Sequence, residues 1–294
     1  PWLFGLDAWR WMFLSALVPA IIYGALALTI PESPRYLIAR GDMTRAKEVL
    51  TRYVGGNVEK TTTDILKTVQ GKSDKVRLSI LRGPKGGLLP IVWVGIGLSV
   101  LQQFTGINVI FYYSTVLWQA VGFTEQDSLT ITVITSVTNI VTTIVAIALV
   151  DKVGRKPLLL VGAIGQFLCL ATLCVIFATA PLVGGEPQLE GAAGTTALIA
   201  ANLYVVFFGA SWGPVVWVLL GEMFSNRIRA VALSVAAAAQ WVANFIISTT
   251  FPSLAAVGLG LAYGVYTFFA FVAIFFVLRF VRETKGRTLE SMSE

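Results

Sequence analysis

Hydrophobic and polar positions follow one another along this chain in blocks too long for a water-soluble core. Apolar runs occupy 9–30, 88–120, 129–150, 157–180, 196–222 and 231–281. Each reaches about 20 residues, or about 30 Å of helix, enough to cross the hydrocarbon of a bilayer. The last is long enough for two spans and is expected to divide between Pro252 and Gly260. From Pro31 to Gly87 the pattern changes to charged and polar residues with apolar ones at helical spacing. There Asp42 is placed to cap a helix presenting Met43, Ala46, Leu50 and Tyr53 on one side, and Gly55-Gly56 to end it in the left-handed conformation. A second helix near Thr63 to Gln70, with Ile65, Leu66 and Val69, and a third near Leu78 to Leu81 would complete a small cluster beside the membrane. These patterns predict an all-α, polytopic membrane protein. Its parts are a span over 1–30, a helical insert over 31–87, a six-helix transmembrane bundle over 88–281 and a tail over 282–294.

Composition agrees, since 56% of the 294 residues are hydrophobic and only 13% are charged. The net charge of +6 would suggest nucleic acid if the basic residues were clustered on a soluble face. They are not. Of the 22 Lys and Arg, all but Arg10 lie in 31–87, in 151–156, in 223–230 and from Arg279 onward, while 121–128, 181–195 and 252–260 carry none. That asymmetry is the positive-inside pattern, which places the 31–87 insert and the C-terminus in the cytoplasm of a multi-pass plasma-membrane protein. The absence of His removes a His metal site, a His proton relay and any Ser/His/Asp arrangement from the chain. Cys169 and Cys174 fall inside one span without metal-ligand company and read as small apolar residues. No metal, cofactor or enzymatic reaction is expected.

The spans nevertheless carry polar groups where hydrocarbon would be. Within 88–120 runs Leu101-Gln102-Gln103-Phe104-Thr105-Gly106-Ile107-Asn108, followed by Phe111-Tyr112-Tyr113. An unpartnered amide at that depth costs a few kcal/mol, so these side chains must meet partner helices, water or a ligand. On an unbroken helix Gln103 and Asn108 would diverge by roughly 140°, and a break at Gly106 would let them converge. Asn139, Gln240 and Asn244 recur at similar depth, and Phe208, Trp217 and Trp241 add aromatic faces. Gly213-Pro214 marks a second candidate break, and discontinuous helices in membrane carriers mark binding sites. Aromatic faces for the C–H side of a ring, with amides for its hydroxyls, suit a neutral polyol. The spans place no Asp, Glu, Lys or Arg near mid-depth, so the expected solute is uncharged.

Asp151 and Glu222 stand at the C-terminal ends of their spans, where the helix dipole disfavours negative charge and a cationic partner is needed. Lys152, Arg155, Lys156, Arg227 and Arg229 are available, with Glu32 and Glu283 as further acceptors. The expectation is a cytoplasmic charge network that forms when a carrier is closed on that side and breaks when it opens.

The motifs resemble those of the sugar porters of the major facilitator superfamily, in its C-terminal part. Pro31-Glu32-Ser33-Pro34-Arg35 is similar to the signature after span six, and Gln102 to Asn108 with Tyr112-Tyr113 to the span-seven motif. Asp151 to Lys156 resembles the loop between spans eight and nine. Gly213-Pro214-Val215-Val216-Trp217 with Glu222 and Phe224 resembles the span-ten motif, and Glu283-Thr284-Lys285-Gly286 the signature after span twelve. Trp212, Gln240-Trp241 and Asn244 bring the similarity nearest to bacterial xylose–proton and glucose–proton symporters. Arg282 and Ser225 stand where many members have proline.

The resemblance implies a monosaccharide carrier working by alternating access, with proton-coupled symport. It implies sugar contacts from Gln102, Gln103, Asn108, Tyr112, Phe208, Gly213, Trp217 and Gln240, with Asn139 and Trp241 lining the cavity and Asn244 beside them. It implies gate charges at Glu32, Arg35, Asp151, Arg155, Lys156, Glu222, Arg229 and Glu283. It also implies that five further spans precede Pro1, that 88–281 is the C-terminal bundle, and that the complete protein is a monomer in the lipid bilayer with a monosaccharide and protons as its partners and no nucleic acid. A non-transporting sugar sensor and a facilitated-diffusion carrier are the alternatives.

Overall fold

Long apolar sequences in hydrocarbon satisfy their backbone groups only by closing them into helices, and helices dominate the computed structural model. It describes residues 5, 7–69, 78–83, 86–120, 122–183, 186–189, 191–225 and 227–286. Among the described residues seven helical stretches are long and apolar enough to cross a membrane, from Trp9–Thr29 to Leu259–Phe280. The chain divides into two units, Pro1–Lys75 and Val76–Glu294.

The first unit begins with α1 (Ala8–Ser15) and α2 (Leu17–Thr29), which run together as one apolar span with no buried residue in α2. Three short helices follow, α3 (Pro34–Ala39), α4 (Met43–Val49) and α5 (Val58–Val69). Asp42 accepts the Arg45 backbone N–H at 3.1 Å and so caps α4 as expected. Leu37, Ile38, Ala46, Leu50 and Ile65 form the core of this cluster, with Met43 and Leu66 against it. Two expectations are corrected. Tyr53 is 58% exposed, because α4 continues as a π-turn over Leu50–Val54, whose wider turn rotates position 53 off the α-helical face. The third apolar contribution comes from α3; Leu78–Leu81 is a 3₁₀ turn whose Leu81 belongs to the core of the second unit. Gln70 lies outside the described residues.

In the second unit the first expected span is built in three pieces, α6 (Pro90–Phe104), α7 (Ile107–Tyr112) and α8 (Ser114–Ala120). There follow α9 (Glu125–Val153) and α10 (Arg155–Thr179), joined at Gly154, and then a two-residue hairpin pairing Leu182–Val183 with Glu186–Pro187. The second broken span comprises α11 (Ala192–Phe207), a π-turn over Phe208–Trp212 and α12 (Gly213–Met223). The unit closes with α13 (Arg229–Val257) and α14 (Leu259–Phe280).

The long C-terminal run divides at Gly258, within the interval expected from Pro252 to Gly260, and Pro252 itself sits inside α13. Proline removes the N–H that would have bonded the carbonyl four residues earlier. That carbonyl is Ser248, and the Tyr113 hydroxyl donates to it at 2.9 Å. A side chain from another segment therefore lets the helix pass through its own proline.

Helices α10 and α14 pack through small residues. A Cβ added at Gly260 would lie 2.8 Å from the Ala178 backbone, and the Cys174 thiol donates to the Gly260 carbonyl at 3.3 Å. Such close approach maximises dispersion contact where apolar lipid gives helices no hydrophobic drive to associate.

Candidate polar site between broken helices

Thr105 and Gly106 interrupt the first broken span, and Gly106 takes φ +84°, a left-handed conformation that side chains rarely adopt. The Tyr266 ring also leaves no room for a Cβ there, at 2.7 Å. The break turns α7 so that Asn108 meets Gln103, donating from Nδ2 to Gln103 Oε1. The convergence expected of these two residues is present in the structure.

A row of amides grows from that pair. Asn108 Nδ2 also donates to Asn244 Oδ1 on α13 at 2.8 Å, and Ser248 donates to the same oxygen at 3.2 Å. In the other direction Gln103 Nε2 donates to Gln102 Oε1 at 3.4 Å. Gln102 Nε2 in turn donates to the carbonyls of Trp212 at 2.7 Å and Gly213 at 3.3 Å. Gln102, Gln103 and Asn244 are buried, as is Gln240, one helical turn before Asn244 on the same face.

The row is not saturated. Among the described residues Asn108 Oδ1 and Asn244 Nδ2 make no hydrogen bond, and the buried Gln240 Oε1 has no partner. An amide oxygen accepts and an amide nitrogen donates, so the site keeps both kinds of valence open.

Around this row the aromatic residues divide. Phe208 is buried, and its ring packs over Gly213, where a Cβ would stand 3.3 Å from it. Trp217, one turn beyond Gly213 on α12, is 41% exposed and offers a free ring face. Asn139 sits against the π-turn, its Oδ1 3.0 Å from the Cβ position of Gly209, and joins no amide in the row. Tyr112 and Trp241 are exposed and also stand outside it. Tyr204, Tyr113 and Ser248 were not expected in the site, yet the two tyrosines hold its backbone and Ser248 bonds the Asn244 side chain. The Tyr204 hydroxyl donates to the Thr105 carbonyl at 2.8 Å. A tyrosine within an apolar run was the available signal, because a phenol in hydrocarbon needs a partner.

At one end of the helices the charges converge. Arg155 is 7% exposed and grips Glu222 with two bonds, Nε to Oε2 at 3.0 Å and Nη2 to Oε1 at 2.7 Å. Its Nη2 also lies 2.8 Å from Asp151 Oδ1, and Nη1 donates to the Val150 carbonyl. The two carboxylates at helix C-termini thus share the cation they need. Glu283 accepts the backbone N–H groups of Arg155 at 3.0 Å and Lys156 at 2.9 Å, capping α10, and those of Thr284 and Lys285. Partial burial works against its charge, but these four donors win and hold its carboxyl below the ordinary range. Gly154 makes room for that carboxylate, since a Cβ would fall 2.8 Å from Oε2. Thr284, unforeseen, donates its hydroxyl to Glu222 Oε2 at 2.6 Å. Lys156 Nζ reaches the Leu278 carbonyl, and Arg229 Nη2 the Phe224 carbonyl. Glu32 and Arg35 belong to the first unit, where Glu32 lines a hollow with Arg45, Glu48 and Arg52.

The family profile described as "Sugar (and other) transporter" matches residues 4–294. The chain belongs to this sugar transporter family. The transporter chain is 61% identical over 293 residues to the glucose transport protein of Synechocystis, covering 99% of itself and 62% of that protein. It is 38% identical to the D-xylose-proton symporter of Escherichia coli K12 over 293 residues, 97% of this chain and 57% of the relative. Among solved structures, the proton:xylose symporter XylE bound to 6-bromo-6-deoxy-D-glucose matches with a TM-score of 0.78 and 35% identity. That match covers 98% of this chain and 60% of the other. The chain thus spans about three fifths of the length of these relatives, which are named as a transport protein and symporters.

Proposed function

We propose that this sugar transporter chain supplies most of the monosaccharide contacts of a carrier working by alternating access, coupled to protons. The observation that carries the reading is the amide row Gln103–Asn108–Asn244 with Gln240. Gln103, Asn244 and Gln240 are buried and Asn108 is half-buried at span depth, and the row retains open acceptors and a donor, the buried Gln240 Oε1 among them. A buried polar group without a partner costs about 1–3 kcal/mol, and a sugar hydroxyl, which both donates and accepts, offsets that cost. Trp217 supplies a ring face for the C–H side of the sugar. Relatives named for glucose and for xylose with protons support the same substrate class.

In this reading 88–281 is the C-terminal six-helix bundle, 1–30 the last span of the preceding bundle, 31–87 a cytoplasmic insert and 282–294 a cytoplasmic tail. Asp151, Arg155, Lys156, Glu222, Arg229 and Glu283 hold the cytoplasmic side of the second unit closed until the sugar site turns inward, and Glu32 and Arg35 are gate charges of the first unit. Uptake of labelled D-glucose and D-xylose by vesicles bearing the whole gene product, with and without a proton gradient, tests the proposal. Accumulation that collapses with the gradient is expected. Equilibration without accumulation would remove the proton coupling, and binding without uptake would remove the carrier. Asn108→Ala should weaken sugar binding by about 1–3 kcal/mol, read by equilibrium dialysis.

A further inference from the structure

The two interrupted spans hold each other. Tyr204 on α11 stands one turn before the π-turn of its own span, and its hydroxyl donates across to the Thr105 carbonyl, 2.8 Å away, at the break between α6 and α7. Gln102 on α6 stands one turn before that break, and its Nε2 donates back to the carbonyls of Trp212 and Gly213, at the junction of the π-turn with α12. Tyr204, Thr105, Gln102 and Trp212 are all buried, none more than 2% exposed. Water cannot replace either bond as the helices shift, so a carbonyl that left its partner would be stranded in a low-dielectric interior.

The far side of each break rests on the close-packed pair α10 and α14. The ring of Tyr266, on α14, lies against Gly106, and the Trp212 indole N–H donates to the Leu159 carbonyl of α10 at 2.9 Å. Bending α7 at Gly106 displaces the Thr105 carbonyl, which pulls on Tyr204 and so on the start of the π-turn. Movement of the π-turn displaces the Trp212 carbonyl, which pulls on Gln102 and hence on the amide row. With its amide hydrogens directed at two carbonyls, Gln102 leaves only Oε1 toward the other amides.

We propose that Tyr204 and Gln102 form a reciprocal clasp that makes the two helix breaks change conformation as one unit, with Tyr204 a positioning residue for the sugar site. The proposal rests on the carrier reading, and it adds a residue that touches no sugar. Its test is hydrogen exchange on the whole gene product in lipid nanodiscs, titrated with D-glucose or D-xylose, alongside uptake. In the wild type, protection of the amides of 106–110 and of 209–213 should change at the same sugar concentration. In Tyr204→Phe, which loses one oxygen, the two midpoints should separate at least about threefold and turnover fall about tenfold, as one lost buried hydrogen bond allows. Tyr263→Phe, an equally buried phenol whose ring packs on Phe177 and Tyr266, should stay within about twofold of wild type, using the spread expected of substitutions outside such networks.

Should Tyr204→Phe not fold, Gln102→Leu removes the opposite bond and should separate the same two midpoints. Segments that respond at different sugar concentrations in the wild type, or together in both variants, would overturn the clasp. A wild type that neither binds nor moves sugar would instead overturn the carrier reading, because the clasp can fail while transport persists.

Discussion

Helices α10 and α14 and the broken spans α6/α7 and α11/α12 are all apolar enough to cross a membrane, yet they are held by different means. The pair α10 and α14 relies on absence of side chain: Gly260 and Gly264 set one backbone against Ala178 and Cys174 of the other, and the ladders of both helices run unbroken. The broken spans are held by side chains that reach into a neighbour's backbone, as Tyr204 does at Thr105 and Gln102 at Trp212. Close small-residue packing resists displacement because any shift loses many contacts together. A few directed hydrogen bonds between irregular segments permit a second arrangement. The first pair is a backstop, and the second is the part that can respond to a ligand.

Four expected outcomes break or sharpen that contrast. The largest effect should come from Arg155→Met, which severs the link from α10 to Glu222 on α12 and leaves a half-buried carboxylate gripped only by Thr284. Removing one partner of a buried pair costs about 3–5 kcal/mol, somewhat less here because Glu222 keeps a hydroxyl. A shift of labelling toward the cytoplasm-open state should reveal it, and unchanged cysteine accessibility would count against a gating role. Gly260→Val should follow, lowering stability by about 1–3 kcal/mol through overpacking, since the atoms in its way are Ala178 backbone that cannot swing aside. Thermal unfolding in detergent measures it.

Tyr113→Phe should cost about 1 kcal/mol by stranding the Ser248 carbonyl that Pro252 leaves without its N–H. Exchange at the amides of 249–253 should rise locally while α10 and α14 stay protected. The smallest effect is one of pH. Glu283 has its folded-state pKa lowered, so the stability it lends by capping α10 is present above the ordinary glutamate value of about 4.3. It is lost as pH falls through the lowered value. Acid below the ordinary glutamate range should loosen the start of α10, and Glu283→Gln should abolish that dependence.

Much of this architecture was legible in the chain. Run length and the absence of charge located every span, because a bilayer tolerates few alternatives to a closed helical ladder. Gly106 with Gln103 and Asn108 indicated a break that joins two amides, and Asp151 with Glu222 demanded a cation that Arg155 supplies. Tyr53 was misread because a π-turn closes the Gly55 N–H onto the Leu50 carbonyl, a widening of the helix that apolar spacing does not reveal. That Pro252 stays inside a helix was equally hidden, because the donor that replaces its missing N–H is Tyr113, far away in sequence.

From the order of residues alone came the membrane as solvent, the positions of the spans and the presence of too many amides for hydrocarbon. Those properties follow from each residue's own transfer energy and from periods of a few positions. Which amide meets which carbonyl, that Trp241 stands outside the row while Asn244 joins it, and that Tyr204 closes a break 99 residues earlier were decided by the packed structure. Hydrogen bonds are directional and short, so a rotation of one helix by a single residue, about 100°, exchanges one set of partners for another.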